Sequence, residues 1–404
     1  MFSKSIAVTA TAAAASALIL AACGGNSDDQ PAASTPKTVA PQLFAQTNDT
    51  VNAVLHFTRH ADGTLSVGTP VPTGGKGTAG VTFPNGGTVG GDSLTSNNSV
   101  LVSPDETRLF VANAGDGTVS VFSIDPAGGN PTLLATSPTA GTLPTSLAFS
   151  NGVLYVTHQQ GQNELGAYRV GSDGKLTQIG AWPTLQTDAL PTDVVVSPDG
   201  KFVLVDVRSV GDTPTAAPST SLVVYPINAD GTLGTAVVSP SLGQGSFATR
   251  FGSGALSRIA VTVEAVSNTA SSYQLADAGT LSGVSGPLVV PGQGAPCWLA
   301  LTPDNRFAYV GNGAGFVSSY AIDSTGHLTL VNGNAASEPS VTPGVASLAE
   351  DSWISPDGRF LYEDYAGDDK VVAYSIGADG TLTKLGEQPA NTTSKISLQG
   401  LAGT

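Results

Sequence analysis

A repeating unit constrains this chain more than any other feature of its sequence. Its clearest copy, SWISPDGRFLYEDYAGDDKVVAYSIGADGTLTKL, spans residues 352–385. Short runs of β-branched and aromatic residues, which favour strands, alternate in it with turn sequences. In the first turn Pro356 presets φ and Gly358 supplies a positive φ. Three turns within this length leave no room for a helix, so the unit is predicted to be a four-stranded antiparallel sheet.

Weaker copies of the unit fill most of the chain. They begin at Ser99, Thr145, Thr192, Ser257 and Trp298, and with the clearest copy they make six. A single four-stranded sheet cannot bury both of its faces. Repeats at this spacing are therefore predicted to stack radially as the blades of a β-propeller.

The two ends of the chain supply a seventh blade. LFAQTNDTVNAVLHFTRHADGTLSVG, from Leu43, has a second, third and fourth strand, and ISLQGLAG, from Ile396, is a lone first strand. The sequence thus predicts an all-β fold over residues 41–404, a seven-bladed β-propeller with four-stranded blades. Pairing of the N- and C-terminal segments would close the ring, which removes exposed sheet edges.

The N-terminus resembles a bacterial lipoprotein signal peptide over residues 1–22. Lys4 precedes a short apolar run, and Leu20-Ala21-Ala22-Cys23 resembles a lipobox. We expect Cys23 to be lipidated and residues 23–40 to be a flexible tether. By resemblance to lipoproteins of two-membrane bacteria, Gly24 indicates anchoring in the outer membrane of the cell envelope. An ordinary secretory signal with an incidental cysteine is the alternative.

Charge and cysteine content exclude several functions. The chain has 16 Lys and Arg against 31 Asp and Glu, a formal net charge of −15, which argues against nucleic-acid binding. Lipidation would leave Cys297 without a partner, and its apolar setting in PCWLAL predicts a buried, inert thiol. We expect a monomer without a cofactor or a metal site. The Gly-rich segment 69–98 is predicted to be a long mobile loop over one face.

Alignment of the blades on their second strands predicts a ring of side chains around one mouth of the central channel. The strand-end positions are Thr47, Asn113, His158, Val207, Glu264, Asn312 and Tyr365. Arg208 lies one residue after its ring position, and Asp364 lies one before. His158, Glu264 and Arg208 are candidate catalytic residues, with acid, base and anion-binding roles. Asn113, Asn312, Tyr365 and Asp364 are candidate ligand-binding residues. Alternatively, these polar groups only hydrogen-bond the neighbouring turns.

The blade sequences, including YVGNGAG and FVANAGDG, resemble the lactonase-type seven-bladed propellers and the YVTN repeats of surface-layer propellers. The resemblance implies lactone chemistry in a pocket of Glu, His and Arg side chains at the channel mouth. The family's Glu corresponds to Glu264 in VTVEAVSNTASSY. The chain has residues 245–248, Gly-Ser-Phe-Ala, where the family has a Pro-Arg-His type of segment. It has Pro191-Thr192-Asp193 where another His opens a blade.

Two functional hypotheses follow. The first is a lipid-anchored envelope propeller that binds a small-molecule ligand or an envelope protein partner. The alternative is a lactone hydrolase or cycloisomerase that acts on a small organic-acid or sugar lactone at the pore mouth. In that alternative Arg208 holds an anionic substrate, and Glu264 or His158 acts as the base.

Overall fold

The computed structural model describes residues 39–404 except for 85, 186, 187, 291, 293 and 342. The predicted signal peptide, Cys23 and most of the linker therefore lie outside the described residues. The described part is almost entirely β-sheet, arranged as seven blades and one small hairpin. Within it, no helix has the length and apolar character needed to cross a membrane.

The first four blades follow one another along the chain. The first blade begins with β1 (Gln42–Gln46), β2 (Ala53–Arg59), β3 (Leu65–Val67) and β4 (Val71–Pro72). A separate hairpin contains β5 (Val81–Thr82) and β6 (Thr88–Val89). The second blade contains β7 (Val100–Val102), β8 (Arg108–Asn113), β9 (Thr118–Ser123) and β10 (Thr132–Pro138). The third contains β11 (Thr142–Ser150), β12 (Val153–Gln160), β13 (Leu165–Val170) and β14 (Leu176–Trp182). The fourth contains β15 (Leu190–Val196), β16 (Phe202–Ser209), β17 (Ser221–Pro226) and β18 (Val237–Pro240).

The remaining blades have the same plan. The fifth contains β19 (Ser246–Phe251), β20 (Ile259–Glu264), β21 (Thr269–Leu275) and β22 (Leu281–Val289). The sixth contains β23 (Pro296–Leu301), β24 (Phe307–Asn312), β25 (Phe316–Ile322) and β26 (Leu328–Ser337). The seventh contains β27 (Ala349–Ile354), β28 (Phe360–Tyr365), β29 (Lys370–Ile376) and β30 (Leu382–Pro389). The last strand is β31 (Gln399–Gly403), and short 3₁₀ helices lie at Gly254–Leu256 and Ala366–Asp368.

Each blade is an antiparallel meander whose first strand lines the central channel. The first strands β7, β11, β15, β19, β23 and β27 contact one another in sequence, and β31 contacts both β27 and β7. These contacts form a closed circle. The fold is the predicted seven-bladed β-propeller.

The ring closes between the two ends of the chain, as the sequence predicted. β31 pairs with β1 in antiparallel register, with Leu43 opposite Gly403 and Gln46 opposite Gln399. The backbone N–H of Thr404 donates to the carbonyl of Gln42 at 3.0 Å. The last strand begins at Gln399, three residues later than the start of the predicted segment at Ile396.

The hydrophobic core lies between the blades rather than inside any one of them. Each of the seven large apolar clusters combines side chains of two neighbouring blades. Between the fifth and sixth blades, for example, Phe247 and Trp298 meet edge to face with ring centroids 5.6 Å apart. Cys297 is buried in the same cluster, as predicted. Burial raises the pKa of its thiol, which keeps it protonated.

One sequence turn recurs between first and second strands and fixes the blade geometry. In the seventh blade the Ser355 hydroxyl donates to Asp357 at 2.5 Å and accepts the N–H of Phe360 at 3.1 Å. Gly358 has a φ of +71°, which an L side chain rarely adopts. The same Ser/Thr-to-Asp bond occurs at Ser103, Ser197 and Thr302. These turns lie at the lower mouth of the channel, which we define as the end where the first strands finish.

The prediction of a mobile loop is wrong for residues 91–98, which we call the plug. The plug enters the upper mouth, where the first strands begin, and its residues 93–97 are buried. Its polar groups are bonded to the surrounding blades. The backbone N–H of Asn97 donates to Thr192 at 2.8 Å, and its side chain donates to the carbonyl of Cys297 at 2.9 Å. The Trp298 indole donates to the carbonyl of Ser96 at 3.1 Å.

Candidate functional site

The predicted ring residues lie at the upper mouth of the channel. Strand pairing sets the start of each first strand against the end of the second. Pro144 is opposite His158, Pro191 is opposite Val207, and Ser246 is opposite Glu264. Because the plug occupies this mouth, the ring side chains face a filled channel.

Two members of the ring donate hydrogen bonds to the third strands of their own blades. The Asn113 amide donates to the hydroxyls of Thr118 and Ser120 at 3.0 and 2.8 Å. The Asn312 amide donates to the carbonyl of Phe316 at 3.1 Å and to Ser318 at 2.8 Å. Both asparagines are fully buried. Asn113 also accepts hydrogen bonds from Asn52 at 2.9 Å and Thr73 at 2.7 Å, so its contacts hold strands and neighbouring blades together.

Glu264 is fully buried beside the third strand of its own blade. Its carboxylate accepts hydrogen bonds from the hydroxyls of Thr269 at 2.8 Å and Tyr273 at 2.9 Å. Burial raises the pKa of Glu264, although these hydroxyls oppose the shift. Gly243 packs against its side chain, where an added Cβ would lie 2.9 Å from that of Glu264.

His158 is also buried, and neither ring nitrogen has a hydrogen-bond partner among the described residues. Burial lowers the pKa of His158 to about 4, so the imidazole is neutral at physiological pH. Gly141 lies directly against the ring, and a Cβ there would be 2.2 Å from the imidazole.

Arg208 lies near the plug. Its charge opposes the effect of burial on the carboxyl of Asp92, whose pKa is nevertheless raised to about 7. Among the described contacts, no hydrogen bond or ion pair links Arg208, His158 and Glu264 to one another. They lie on three successive blades, and none of them lines the two cavities at the lower mouth of the channel.

The two remaining predicted residues belong to the second strand of the seventh blade. The Tyr365 hydroxyl is 3.0 Å from that of Tyr374, and both side chains are buried. Asp364 is fully buried, and its carboxyl oxygens form no hydrogen bond of standard geometry within the described chain. Burial raises the pKa of Asp364 well above its usual range, and Asp351 and Glu363 raise it further.

Open space in the channel lies at the lower mouth, on the opposite side of the plug. Two adjoining cavities of about 280 and 340 Å³ share Asn98, Leu101 and Arg250. Their walls are mainly apolar side chains at the ends of the first strands. These include Val102, Ala148, Val194, Val196, Phe251, Trp353 and Ala402. The volumes are near the lower end of the range for small-molecule sites, about 300 Å³.

Arg250 is the cation that lines both cavities. Its Nη1 donates to the Asp193 carboxylate at 2.6 Å and to the carbonyl of Thr249 at 2.7 Å. Its Nη2 donates to the side-chain carbonyl of Asn98 at 2.9 Å. The Arg250 side chain is 22% exposed, whereas that of Asp193 is completely buried. The guanidinium is therefore held in one orientation at the inner end of an open cavity.

Asn98 connects this ion pair to a second carboxyl. Its side-chain amide donates to Asp193 at 2.7 Å, and its backbone N–H donates to Asp351 at 3.3 Å. The other oxygen of Asp351 accepts the N–H of Gly400 at 3.0 Å. Burial raises the pKa of Asp351 to about 7, so both protonation states are populated near neutral pH. Ser352, the next residue, lines the cavity.

Asn98, Asp193, Arg250 and Asp351 were not among the predicted site residues. A signal was present, because TDVVV, SFATRF and AEDSWI place charged residues in strands that are otherwise apolar or small. Buried charges in such strands occur when they are paired or functional. Within the described residues, no group of three or more His, Cys, Asp and Glu side chains is arranged to hold a metal ion.

The buried carboxyls make the stability of the fold depend on pH. The pKa values of Asp92 and Asp351 are raised to about 7, and burial also raises those of Glu350, Glu363 and Asp364. Folding therefore favours the protonated forms. This stabilisation is complete below about pH 4 and is lost as pH rises through about 7. We expect a melting temperature several degrees lower at about pH 8 than at about pH 5. Calorimetry of the wild type and Asp92→Asn checks this, and a flat profile in the wild type contradicts it.

Comparison with known proteins agrees with this architecture. A profile of the family described as "Lactonase, 7-bladed beta-propeller" matches residues 47–187. A 6-phosphogluconolactonase of Pectobacterium atrosepticum is 26% identical over 297 residues, covering 70% of this chain and 82% of that protein. The structure of a periplasmic gluconolactonase of Pseudomonas aeruginosa superposes with a TM-score of 0.67 at 19% identity. The superposition covers 90% of this chain and 99% of the gluconolactonase chain. A Lactobacillus plantarum protein superposes with the same score and coverage at 17% identity. The chain is therefore a seven-bladed β-propeller that is similar in sequence to the lactonase-type propellers.

Proposed function

We propose that this protein is a lactone hydrolase and that the reaction takes place in the lower channel. The observation that carries the proposal is the guanidinium of Arg250, which Asp193 and Asn98 hold where an apolar cavity adjoins a more polar one. The lactonase relatives support hydrolysis over the binding-module hypothesis. A hydrolase needs a positively charged group in a fixed position, and the buried Asp193 carboxylate holds Arg250 in this way. The binding-module hypothesis does not require such a group.

Arg250 would stabilise the oxyanion of the reaction. Three of its five N–H groups are used by Asp193, Thr249 and Asn98, so two are left to donate to a ligand. When water attacks the lactone carbonyl, negative charge develops on the carbonyl oxygen. A donor already held in position by protein contacts stabilises that charge without reorganisation.

Asp351 would act as the general base. Its pKa of about 7 is close to neutral pH, where a base is most effective. Asn98 links it to Arg250, so a water molecule next to Asn98 would lie between the base and the oxyanion donor. Asp351 accepts a proton from this water. It returns a proton to the ring oxygen when the ring opens.

We also propose that the protein acts in the cell envelope, anchored through Cys23. The lipobox-like sequence supports this location, as does the periplasmic origin of the gluconolactonase relative. Lactones that reach the envelope would then enter the propeller from the lower mouth.

A lactone-panel assay tests the proposal. We expect the purified chain without its signal peptide to hydrolyse γ- or δ-lactones, with kcat/KM rising through about pH 7 as Asp351 ionises. Asp351→Asn is expected to lower kcat by roughly 10²-fold or more. Glu264→Gln is expected to retain most of the activity, because Glu264 is enclosed by Thr269 and Tyr273.

Two outcomes would contradict this assignment. If Glu264→Gln is inactive while Asp351→Asn is active, the reaction belongs to the upper mouth and to the trio of Glu264, His158 and Arg208. If the wild type hydrolyses no lactone, the protein is not a lactonase, and the binding-module hypothesis is favoured.

A further inference from the structure

Among the described residues, the cavities of the lower channel are lined by one cation, Arg250, and one carboxyl side chain, Glu106. Six further carboxyl side chains are buried in the blades that surround the channel: Asp193, Asp206, Glu350, Asp351, Glu363 and Asp364. Asp92 of the plug adds a seventh, with one carboxyl oxygen buried and unpaired among the described residues. These groups come from the fourth blade, the seventh blade and the plug, so they approach the channel from several sides.

Burial raises the pKa values of Asp206, Glu350, Glu363 and Asp364 well above their usual ranges, so these groups are protonated, and the charge at the cavities is set by the groups nearest to them. Arg250, the cation that lines the cavities, forms its ion pair with Asp193, so the pair carries no net charge. Arg208 is close enough to Asp92 to lower its pKa, and neither of these residues lines the two cavities. Lys370 forms ion pairs with Glu338, which directly follows β26, and with Glu387, which lies in the outer strand β30. Lys370 therefore lies away from the two cavities. Glu106 adds a carboxylate to the cavity lining at the lower mouth.

We propose that the substrate is an uncharged lactone and that the channel rejects lactones bearing a phosphate or carboxylate. The inference rests on the proposed lactone hydrolysis in this channel. The two free N–H groups of Arg250 suit a neutral carbonyl oxygen. A phosphate requires an excess of cationic donors, because its transfer out of water must be compensated. Here the cation that lines the cavities is already paired with Asp193, and the added anion would share the cavity with Glu106.

The same charge distribution favours release of the product. Hydrolysis adds one water to the lactone: the water oxygen becomes a carboxyl oxygen, the ring oxygen becomes a hydroxyl, and one proton leaves to solvent. A neutral lactone thus becomes an anion in a cavity that Glu106 lines and whose cation is already paired with Asp193. Repulsion lowers the affinity for the product relative to the substrate.

Matched pairs of lactones test the proposal. Glucono-δ-lactone is compared with 6-phosphogluconolactone, and glucono-γ-lactone with glucarolactone, which has a free carboxylate. We expect kcat/KM to be higher for the neutral member of each pair by about tenfold or more. Glu106→Gln removes the carboxylate that lines the cavity and lies outside the proposed catalytic groups. It should leave neutral turnover unchanged and narrow the preference several-fold.

A binding measurement separates this inference from the proposed function. The neutral lactam analogue of gluconolactone and the gluconate anion are titrated calorimetrically, and neither is turned over. Tighter binding of the lactam supports the inference, and equal or tighter binding of gluconate overturns it. Equal or faster hydrolysis of the anionic lactones overturns it as well, while leaving lactone hydrolysis in place. If all four lactones are inert, the proposed function fails, and the lactam titration still decides the charge preference.

Discussion

Replacing Arg250 with glutamine is expected to lower kcat/KM for lactone hydrolysis by roughly 10²- to 10³-fold. Glutamine keeps a polar side chain of similar length but cannot place a positive charge at the carbonyl oxygen. The variant should also be less stable, because Asp193 is completely buried and loses its cation. Removing one partner of a buried pair costs roughly 3–5 kcal/mol. Steady-state kinetics and thermal unfolding measure the two effects.

The double variant Asp193→Asn/Arg250→Gln separates catalysis from stability. It removes both charges and keeps side chains that can hydrogen-bond each other. We therefore expect a melting temperature close to that of the wild type, with activity as low as in the single variant. Recovery of activity in the double variant would mean that Arg250 only maintains the structure. Arg306→Gln is the control for a general effect of removing an arginine, because the Arg306 side chain is 55% exposed on the surface.

Ring closure could be predicted from sequence because blades are local units. Within a blade, each strand pairs with the strand that comes next to it in the sequence. The exception is β31, the inner strand of the first blade, which comes from the other end of the chain. The alternation of apolar runs and turns such as Ser355 to Gly358 therefore reveals both strands and pairing. The missing first strand near Leu43 and the surplus strand near Ile396 complement each other. No long-range information was needed to match them.

The contents of the channel could not be predicted in the same way. Residues 91–98 have no periodicity, and their order comes from hydrogen bonds to distant blades. Asn97, for example, contacts Cys297, which is 200 residues away along the chain. A Gly-rich segment that distant residues hold in place has the same composition as a mobile loop, so composition alone does not distinguish the two. The structure of such a segment depends on partners that its own residues do not specify.

Polar residues at strand ends also have two explanations that sequence alone does not separate. Asn113 and Glu264 occupy equivalent ring positions, and each forms a hydrogen bond with a hydroxyl group of its own blade. Arg250 and Asp351, in contrast, lie within first strands. Their importance depends on the plug residue Asn98, which brings them into one network. The candidate site therefore emerges only when the channel is assembled.

Removing residues 396–404 is expected to abolish folding of the propeller. The truncation deletes the inner strand of the first blade, including the buried side chains of Leu398 and Leu401. It also exposes Leu43 and Phe44, which are completely buried. Burial of each large apolar side chain contributes roughly 1.5–3 kcal/mol, so the loss approaches the whole stability of about 5–15 kcal/mol. Circular dichroism and size-exclusion chromatography measure the loss, and a truncated chain with an unchanged melting temperature contradicts the closure.

A circular permutant shows whether the position of the strand or the chain order matters. The Thr404 hydroxyl donates to the carbonyl of Ala40 at 2.9 Å, so a short Gly-rich linker can join the two ends. New termini between Pro214 and Thr215 lie in an exposed loop of the fourth blade. The permutant makes the closing strand part of a covalent hairpin with β1. We expect it to fold with a melting temperature within a few degrees of the wild type, because ring closure depends on pairing between β31 and β1 and not on where the chain begins.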